Sequence, residues 1–341
     1  MIKSLENKLD ALRIAGRVSD IIDNDFFTGY KVDFLPDVTI NKIKARAADL
    51  SIFFEGRPVE IETSGGAVVI KVLKEDRATV NINPFLSDIF GGISGHEIPI
   101  IIGQTENGTR LYYDLVKMPH LLAAGATGSG KSVFMHNCIL SSLASSKSAV
   151  VLIDVKRVEF SIYEGIPHLV KEVCYTTRAA LEALQSLCIV MDKRYEKLKT
   201  AGARNITEYR ENGGKMQYIT VFIDELADLI LSNNRIESYL VRLAQLGRAA
   251  GIHLVVATQR PDASVLSGLI RANIPSRVCF AVQKSTDSCI ILDQTGGEKL
   301  RGAGDGLFMP IGSKTASRFQ APYIETGHLL EIIEAARHCN D

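Results

Sequence analysis

The stretch Leu121-Leu122-Ala123-Ala124-Gly125-Ala126-Thr127-Gly128-Ser129-Gly130-Lys131-Ser132 decides how the rest of the chain is read. A short apolar strand runs into G-x-x-x-x-G-K-[ST], and an apolar, helix-like run follows. Glycines at this spacing let the backbone curl until successive N–H groups point inward at phosphate oxygens, and the following helix adds its positive N-terminal end. Gly125, Ala126, Thr127, Gly128, Ser129, Gly130, Lys131 and Ser132 therefore read as a phosphate loop for ATP. Lys131 is expected to reach the β/γ-phosphates, and the Ser132 hydroxyl is offered to Mg2+. A glycine-rich structural turn is the competing reading, and the strand before and helix after the loop disfavour it.

Outward from this loop, apolar strand-like runs alternate with helical periods. The runs His120–Ala124, Ala149–Ile153, Tyr218–Ile223, His253–Thr258 and Arg277–Val282 are short and rich in apolar or β-branched residues. That pattern predicts an α/β fold with a mostly parallel central sheet covered on both faces. Tyr218–Ile223 ends in Asp224-Glu225. A phosphate-loop ATPase needs one acid to hold the metal and one base to orient the attacking water, so Asp224 suits the metal and Glu225 catalysis. Taken alone, the pair would read as a solvated turn. Gln259, at the tip of the run Val255–Thr258, is placed to sense the γ-phosphate or position water, with a simple strand end as the alternative. Arg242 and Arg248 fall on a predicted helix, Leu240–Ala250, six residues apart and on different faces. One of them could reach across a subunit boundary as an arginine finger. Spacing alone favours a solvated helix face.

Nearer the N-terminus, apolar residues from Leu5 to Asp23 recur near helical period and predict an amphipathic helix over residues 1–24. Residues 25–90 read as a small α+β domain, with β-rich runs at Tyr30–Phe34, Val59–Glu62 and Ala67–Val72 around a helix, Ile40–Phe53. The Gly91-Gly92 connection then leads into the larger domain, residues 91–341. With 46% apolar residues in 341 the chain can bury a sizeable core. Its 39 basic residues balance 39 acidic ones, which excludes a protein that coats nucleic acid through bulk positive charge. Cysteines 138, 174, 188, 279, 289 and 339 show no paired spacing and are expected as reduced core thiols. No run approaches the ~18 apolar residues of a membrane span, and no signal-peptide core precedes the first helix, so a cytoplasmic chain without membrane insertion is expected.

Several motifs resemble the motor region of the FtsK/SpoIIIE double-stranded DNA translocases, within the FtsK-HerA superfamily. They are Ala123–Ser132, Tyr163-Glu164-Gly165-Ile166-Pro167-His168-Leu169, Arg248-Ala249-Ala250-Gly251-Ile252-His253-Leu254, Ala257-Thr258-Gln259-Arg260-Pro261, Ile270–Arg277 and Ile291-Leu292-Asp293-Gln294. The resemblance runs from about Gly29 nearly to the end. It implies a RecA-like ATPase domain preceded by a small domain, and a homo-hexameric ring around duplex DNA with ATP between subunits. It also implies that Arg248 is the arginine finger, that Gln259 is the sensor, and that Lys156 and Glu159 lie near the nucleotide. Arg260 and Arg271 stand where the family has DNA-contacting basic residues. Ser285 and Cys289 replace two others, with Lys284 one position away from the first. The family's membrane-spanning and winged-helix regions have no counterpart in this sequence. A free-standing motor of a phage or mobile element is therefore expected, with its recruiting partner unspecified. The expected function is ATP-driven duplex DNA translocation. DNA packaging or conjugative transfer, protein secretion and a nucleotide switch are the alternatives, and Glu225 argues against the switch.

Overall fold

A computed structural model describes residues 1–24, 26–64, 67–74, 79–145 and 147–338. The chain divides into two units, Met1–Thr79 and Val80–Asp341. The first contains α1 (Ile2–Ala11), β1 (Gly16–Asp23), β2 (Phe27–Phe34), α2 (Ile40–Lys44), α3 (Ala47–Phe53), β3 (Val59–Ser64) and β4 (Ala67–Leu73). Its strands form an antiparallel sheet in the order β1-β2-β4-β3. Leu5 and Leu9 of α1 share one core with Tyr30, Ile43, Leu50 and Ile70.

Here the predicted helix of residues 5–23 needs correction. It ends at Ala11, Arg13 takes a left-handed φ of 58°, and Gly16–Asp23 becomes a strand paired with β2. Val18, Ile21 and Ile22 are β-branched and stiff at χ1, which suits a pleated edge better than a helix. Gly16 is required by packing, since a Cβ there would lie 2.8 Å from Val32 Cγ1. The segment Ile40–Phe53 is likewise two short helices, the first capped by the Thr39 side chain.

The second unit begins earlier than residue 91, because α4 (Asn83–Phe90) buries Phe85, Leu86 and Ile89 within it. It continues through β5 (Pro99–Gln104), β6 (Arg110–Asp114), β7 (His120–Ala124), α5 (Lys131–Ala144), β8 (Ser148–Ile153), α6 (Thr177–Thr200) and α7 (Ile206–Glu211). Then come β9 (Tyr218–Ile223), α8 (Leu226–Ser232), α9 (Arg235–Leu246), β10 (Ile252–Thr258), α10 (Gly268–Asn273) and β11 (Ser276–Phe280). The unit closes with α11 (Ser285–Leu292), β12 (Asp305–Met309), β13 (Ser317–Gln320) and α12 (Thr326–His338).

Among the described residues, nine strands form one sheet in the order β6-β5-β13-β12-β11-β7-β10-β9-β8. From β11 to β8 all neighbours are parallel, and these are the five strands expected from the sequence. The remaining four extend the sheet with antiparallel pairs. Every residue of β7, β9 and β10 is buried, so these strands read as predominantly apolar runs. In such a sheet ligands bind beyond the carboxyl ends of the strands. The phosphate loop leaves β7 at that edge, with β10 and β11 on either side.

Candidate nucleotide site and nucleic-acid-facing residues

Glycine is demanded in the loop by both conformation and contact. Gly128 and Gly130 have φ of +77° and +102°. A Cβ on Gly130 would sit 2.3 Å from the Gly304 nitrogen, because the 302–305 turn lies directly against the loop and Gly304 N donates to Ser129 O at 2.9 Å. Helix α5 starts at Lys131 with no side chain capping its first turn, which leaves its leading N–H groups available to an anion. A cleft of about 350 Å3 opens there, lined by the loop, Glu159, Gln259, Ala303-Gly304 and Ala321-Pro322-Tyr323. Curl, open helix end and cleft together fit a nucleotide's phosphates.

The polar side chains of the cleft are hydrogen-bonded to neighbouring groups. The Lys131 ammonium, buried, donates to Asp224 O at 3.0 Å and lies 3.4 Å from Asp224 Oδ1. Burial pushes the Asp224 carboxyl up, and Lys131 pulls it partly back down. Ser132 Oγ donates to Glu159 Oε1 at 2.7 Å, which turns the hydroxyl's lone pairs away from that carboxylate. Ser132 and Asp224 would hold Mg2+ together with the phosphates, and the ion would supply neutralisation of phosphoryl charge. A hydrogen bond from His136 holds Glu159 below its usual range against its burial, with Ser132 contributing. Glu159 is itself placed by Asp154, whose Oδ2 accepts from the N–H groups of Val158, Glu159 and Phe160 at 3.0, 3.0 and 2.9 Å. A lone Asp after a strand carries no motif, so sequence reasoning does not single out Asp154 for this role.

Glu225 caps α8 and is buried. Its Oε1 accepts from Thr258 Oγ1 at 2.7 Å and from Gln259 N at 3.1 Å, while Oε2 meets Lys156 Nζ at 3.3 Å. Lys156 also reaches Asp228. Gln259 Oε1 in turn accepts from the Thr127 hydroxyl of the phosphate loop at 2.9 Å. Thus Lys131, Ser132, Asp224, Glu225 and Gln259 converge at one edge of the sheet.

The FtsK/SpoIIIE family profile matches residues 94–263. The DNA translocase FtsK of Streptomyces avermitilis is 37% identical over 364 residues, which cover 100% of this chain and 40% of that protein. DNA translocase SpoIIIE of Bacillus subtilis is 36% identical, covering 97% of this chain and 44% of its own length. This chain belongs to the FtsK/SpoIIIE family. It therefore spans less than half the length of these FtsK and SpoIIIE relatives. Among solved structures, the pCW3 conjugation coupling protein TcpA, in a monomer form with ATPγS, superposes with a TM-score of 0.71 at 27% identity, covering 98% of this chain and 99% of TcpA. The cytoplasmic domain of the Thermomonospora curvata type VII secretion ATPase EccC shares the fold, with a TM-score of 0.66 at 21% identity over 77% of this chain and 35% of that one. The second unit is thus a RecA-like P-loop ATPase domain of the FtsK/SpoIIIE type. No helix among the described residues is long and apolar enough to cross a membrane.

Two groups of expected FtsK/SpoIIIE site residues lie elsewhere. Arg248 is not on a helix: α9 ends at Leu246, and Gly247 has no room for a Cβ, which would approach Leu243 O at 2.5 Å. Arg248 is exposed on the turn that enters β10, whereas the phosphate loop lies beyond the opposite end of the same parallel strands. Seven strand residues put about 20 Å between those edges. The turn is clamped from α6, where Arg194 donates to Ala250 O and Gln217 O, both at 2.7 Å, and Tyr195 donates to Leu246 O at 2.6 Å. Nothing in the sequence points to this pair. Arg242, by contrast, forms a surface ion pair with Asp192 at 2.9 Å.

Of the cations expected to meet DNA, Arg260 and Lys284 are exposed just beyond the carboxyl ends of β10 and β11. Arg271 differs. It is half-buried on α10, its guanidinium 3.2 Å from Asp293, while Arg277 binds the same carboxylate and donates to Arg271 O. This cluster ties α10 to the start of β11 and the end of α11, a packing task that a sequence match could not reveal. Cys138, Cys174, Cys188 and Cys279 are buried thiols, but Cys289 is exposed on α11, and Cys339 lies outside the described residues.

Proposed function

We propose that this chain is the motor of an ATP-driven duplex DNA translocase, acting as a six-membered ring that closes each nucleotide site with Arg248 of a neighbouring subunit. The observation that carries the reading is a shared strand tip. Thr258 Oγ1 donates to the base Glu225 and accepts from the backbone N–H of Arg260 at 3.1 Å, so the hydrolytic carboxylate and an exposed cation move as one piece. FtsK and SpoIIIE, both DNA translocases by name, support it across this whole chain. Motion of DNA phosphates against Arg260 would be felt at Glu225, and nucleotide turnover would be felt at Arg260. DNA transfer between cells is the second reading, favoured by the likeness to a conjugation coupling protein along nearly the full chain; it differs in the partner on which the ring docks.

Duplex DNA is expected to raise the ATPase rate more than single strands do. A rate indifferent to duplex at low salt, in a preparation shown to be hexameric, would overturn the reading.

If Arg248 acts in trans, Arg248→Ala subunits bind ATP yet are inactive alone, and mixing them with Lys131→Ala subunits restores activity at interfaces that pair an intact loop with an intact arginine. Mixed rings that recover none would remove Arg248 from the site. For DNA, log K should fall with log salt, and Arg260→Ala or Lys284→Ala should shallow that slope by about 0.9 for each phosphate the variant no longer neutralises. Arg271→Ala should leave the slope alone and instead reduce stability by about 1 kcal/mol or less, the range of a partly exposed ion pair. Salt titrations of binding beside thermal melts separate the two outcomes.

A further inference from the structure

The cleft has a wall that phosphate chemistry does not use. Ala321-Pro322-Tyr323 also line the cleft, and Tyr323 is 52% exposed, although the backbone that carries it is held at each of the three residues. Ala321 N donates to Gly304 O at 2.8 Å, and Tyr323 N donates to Val80 O at 2.8 Å. The buried Asn137 side chain donates to Pro322 O at 2.8 Å. Asn137 belongs to α5, whose first turn forms the phosphate site, so the wall is anchored to the same helix that receives the phosphates.

The lining of the cleft combines two chemistries. Lys131, Ser132, Glu159 and Gln259 supply polar groups, while Ala303, Ala321 and Pro322 with the Tyr323 ring supply an apolar surface. An exposed aromatic ring on a backbone held by three hydrogen bonds, in the same cleft as the phosphate loop, suits a ligand that joins a flat π-face to a chain of phosphates. We propose that Tyr323 is the platform on which the base of the bound purine nucleotide stacks, with Pro322 and Ala303 extending the apolar wall. The inference rests on the reading of the cleft as the ATP site and adds the subsite that holds the base. A rigid ring loses little freedom on stacking, so its contribution goes into affinity.

The chain contains no Trp, so Tyr323→Trp introduces the sole indole, and ADP is expected to quench its emission saturably. Tyr323→Ala should raise the Kd for ADP by about 5- to 150-fold, the range for loss of one aromatic–base stack. Tyr323→Phe, which keeps the ring, should bind ADP as the wild type does. Inorganic tripolyphosphate, which has phosphates and no base, should bind wild type and Tyr323→Ala equally. Equal ADP affinity in wild type and Tyr323→Ala would overturn the stacking role and leave the cleft assignment standing. A parallel loss of ADP and tripolyphosphate would also overturn it, because Tyr323 would then support the wall rather than meet the base. A wild-type protein that binds neither ligand would instead overturn the cleft as the ATP site.

Discussion

Lys131→Ala is expected to lower ATP turnover by at least the roughly 100- to 1,000-fold that loss of one preorganised charge donor costs. Lys131 is the only cation among the described residues that line the cleft, so no neighbour can take over its role at the phosphates. It is also buried, with its ammonium held on Asp224. Removing it takes away the ammonium that pulls the buried Asp224 carboxyl down by charge and hydrogen bond, and that pKa should rise further. The metal acid is therefore weakened together with the phosphate site, and Lys131→Ala should cost more than a phosphate interaction alone. Steady-state phosphate release from a variant with wild-type secondary structure checks the outcome, and undiminished turnover would contradict the assignment of the loop.

Glu225→Gln should separate binding from hydrolysis. ATP affinity is expected to persist, because Lys131, Ser132 and Asp224 are untouched, while hydrolysis falls by about 100- to 10,000-fold with the loss of a general base. The surroundings of Glu225 set a secondary cost. A glutamine carbonyl can keep the bonds from Thr258 and Gln259 N, but its NH2 then faces Lys156 Nζ, donor against donor. A stability loss of about 1–3 kcal/mol follows from that mismatch. Calorimetric ATP titration beside single-turnover hydrolysis reads both quantities, and a joint collapse of the two would make Glu225 a structural cap of α8.

The parts of the fold that were legible in the sequence share a physical cause. The five parallel strands are buried on both faces, so each leaves a short run dominated by apolar or β-branched residues, and the chemistry sits where such a run stops at Gly125, Asp224 or Gln259. Strands β12 and β13 leave no such trace: β13 reads Ser317-Arg318-Phe319-Gln320 with Phe319 alone buried. The first strand was hidden for a related reason, since Val18, Ile21 and Ile22 fit a helical period and a pleated edge equally well until Gly16 is seen lying against Val32.

At the site, the residues proposed to meet phosphates sit in a spaced motif, whereas those that place them do not. Asp154 binds three amides and so places Glu159, and away from the site Arg194 and Tyr195 fix the turn that carries Arg248 through carbonyls roughly 20 to 60 positions away. Such contacts are written in tertiary geometry. Arg271 shows the converse, where a match by position suggested DNA and the fold supplies Asp293.

Displacement of a third strand from a triplex built on duplex DNA tests ATP-driven translocation most directly. A preparation shown to be hexameric, with ATP and Mg2+, is expected to strip the third strand, at a rate that falls to background with a nonhydrolysable ATP analogue or with Glu225→Gln. A ring that hydrolyses ATP in the presence of duplex and leaves the triplex intact would contradict the proposal.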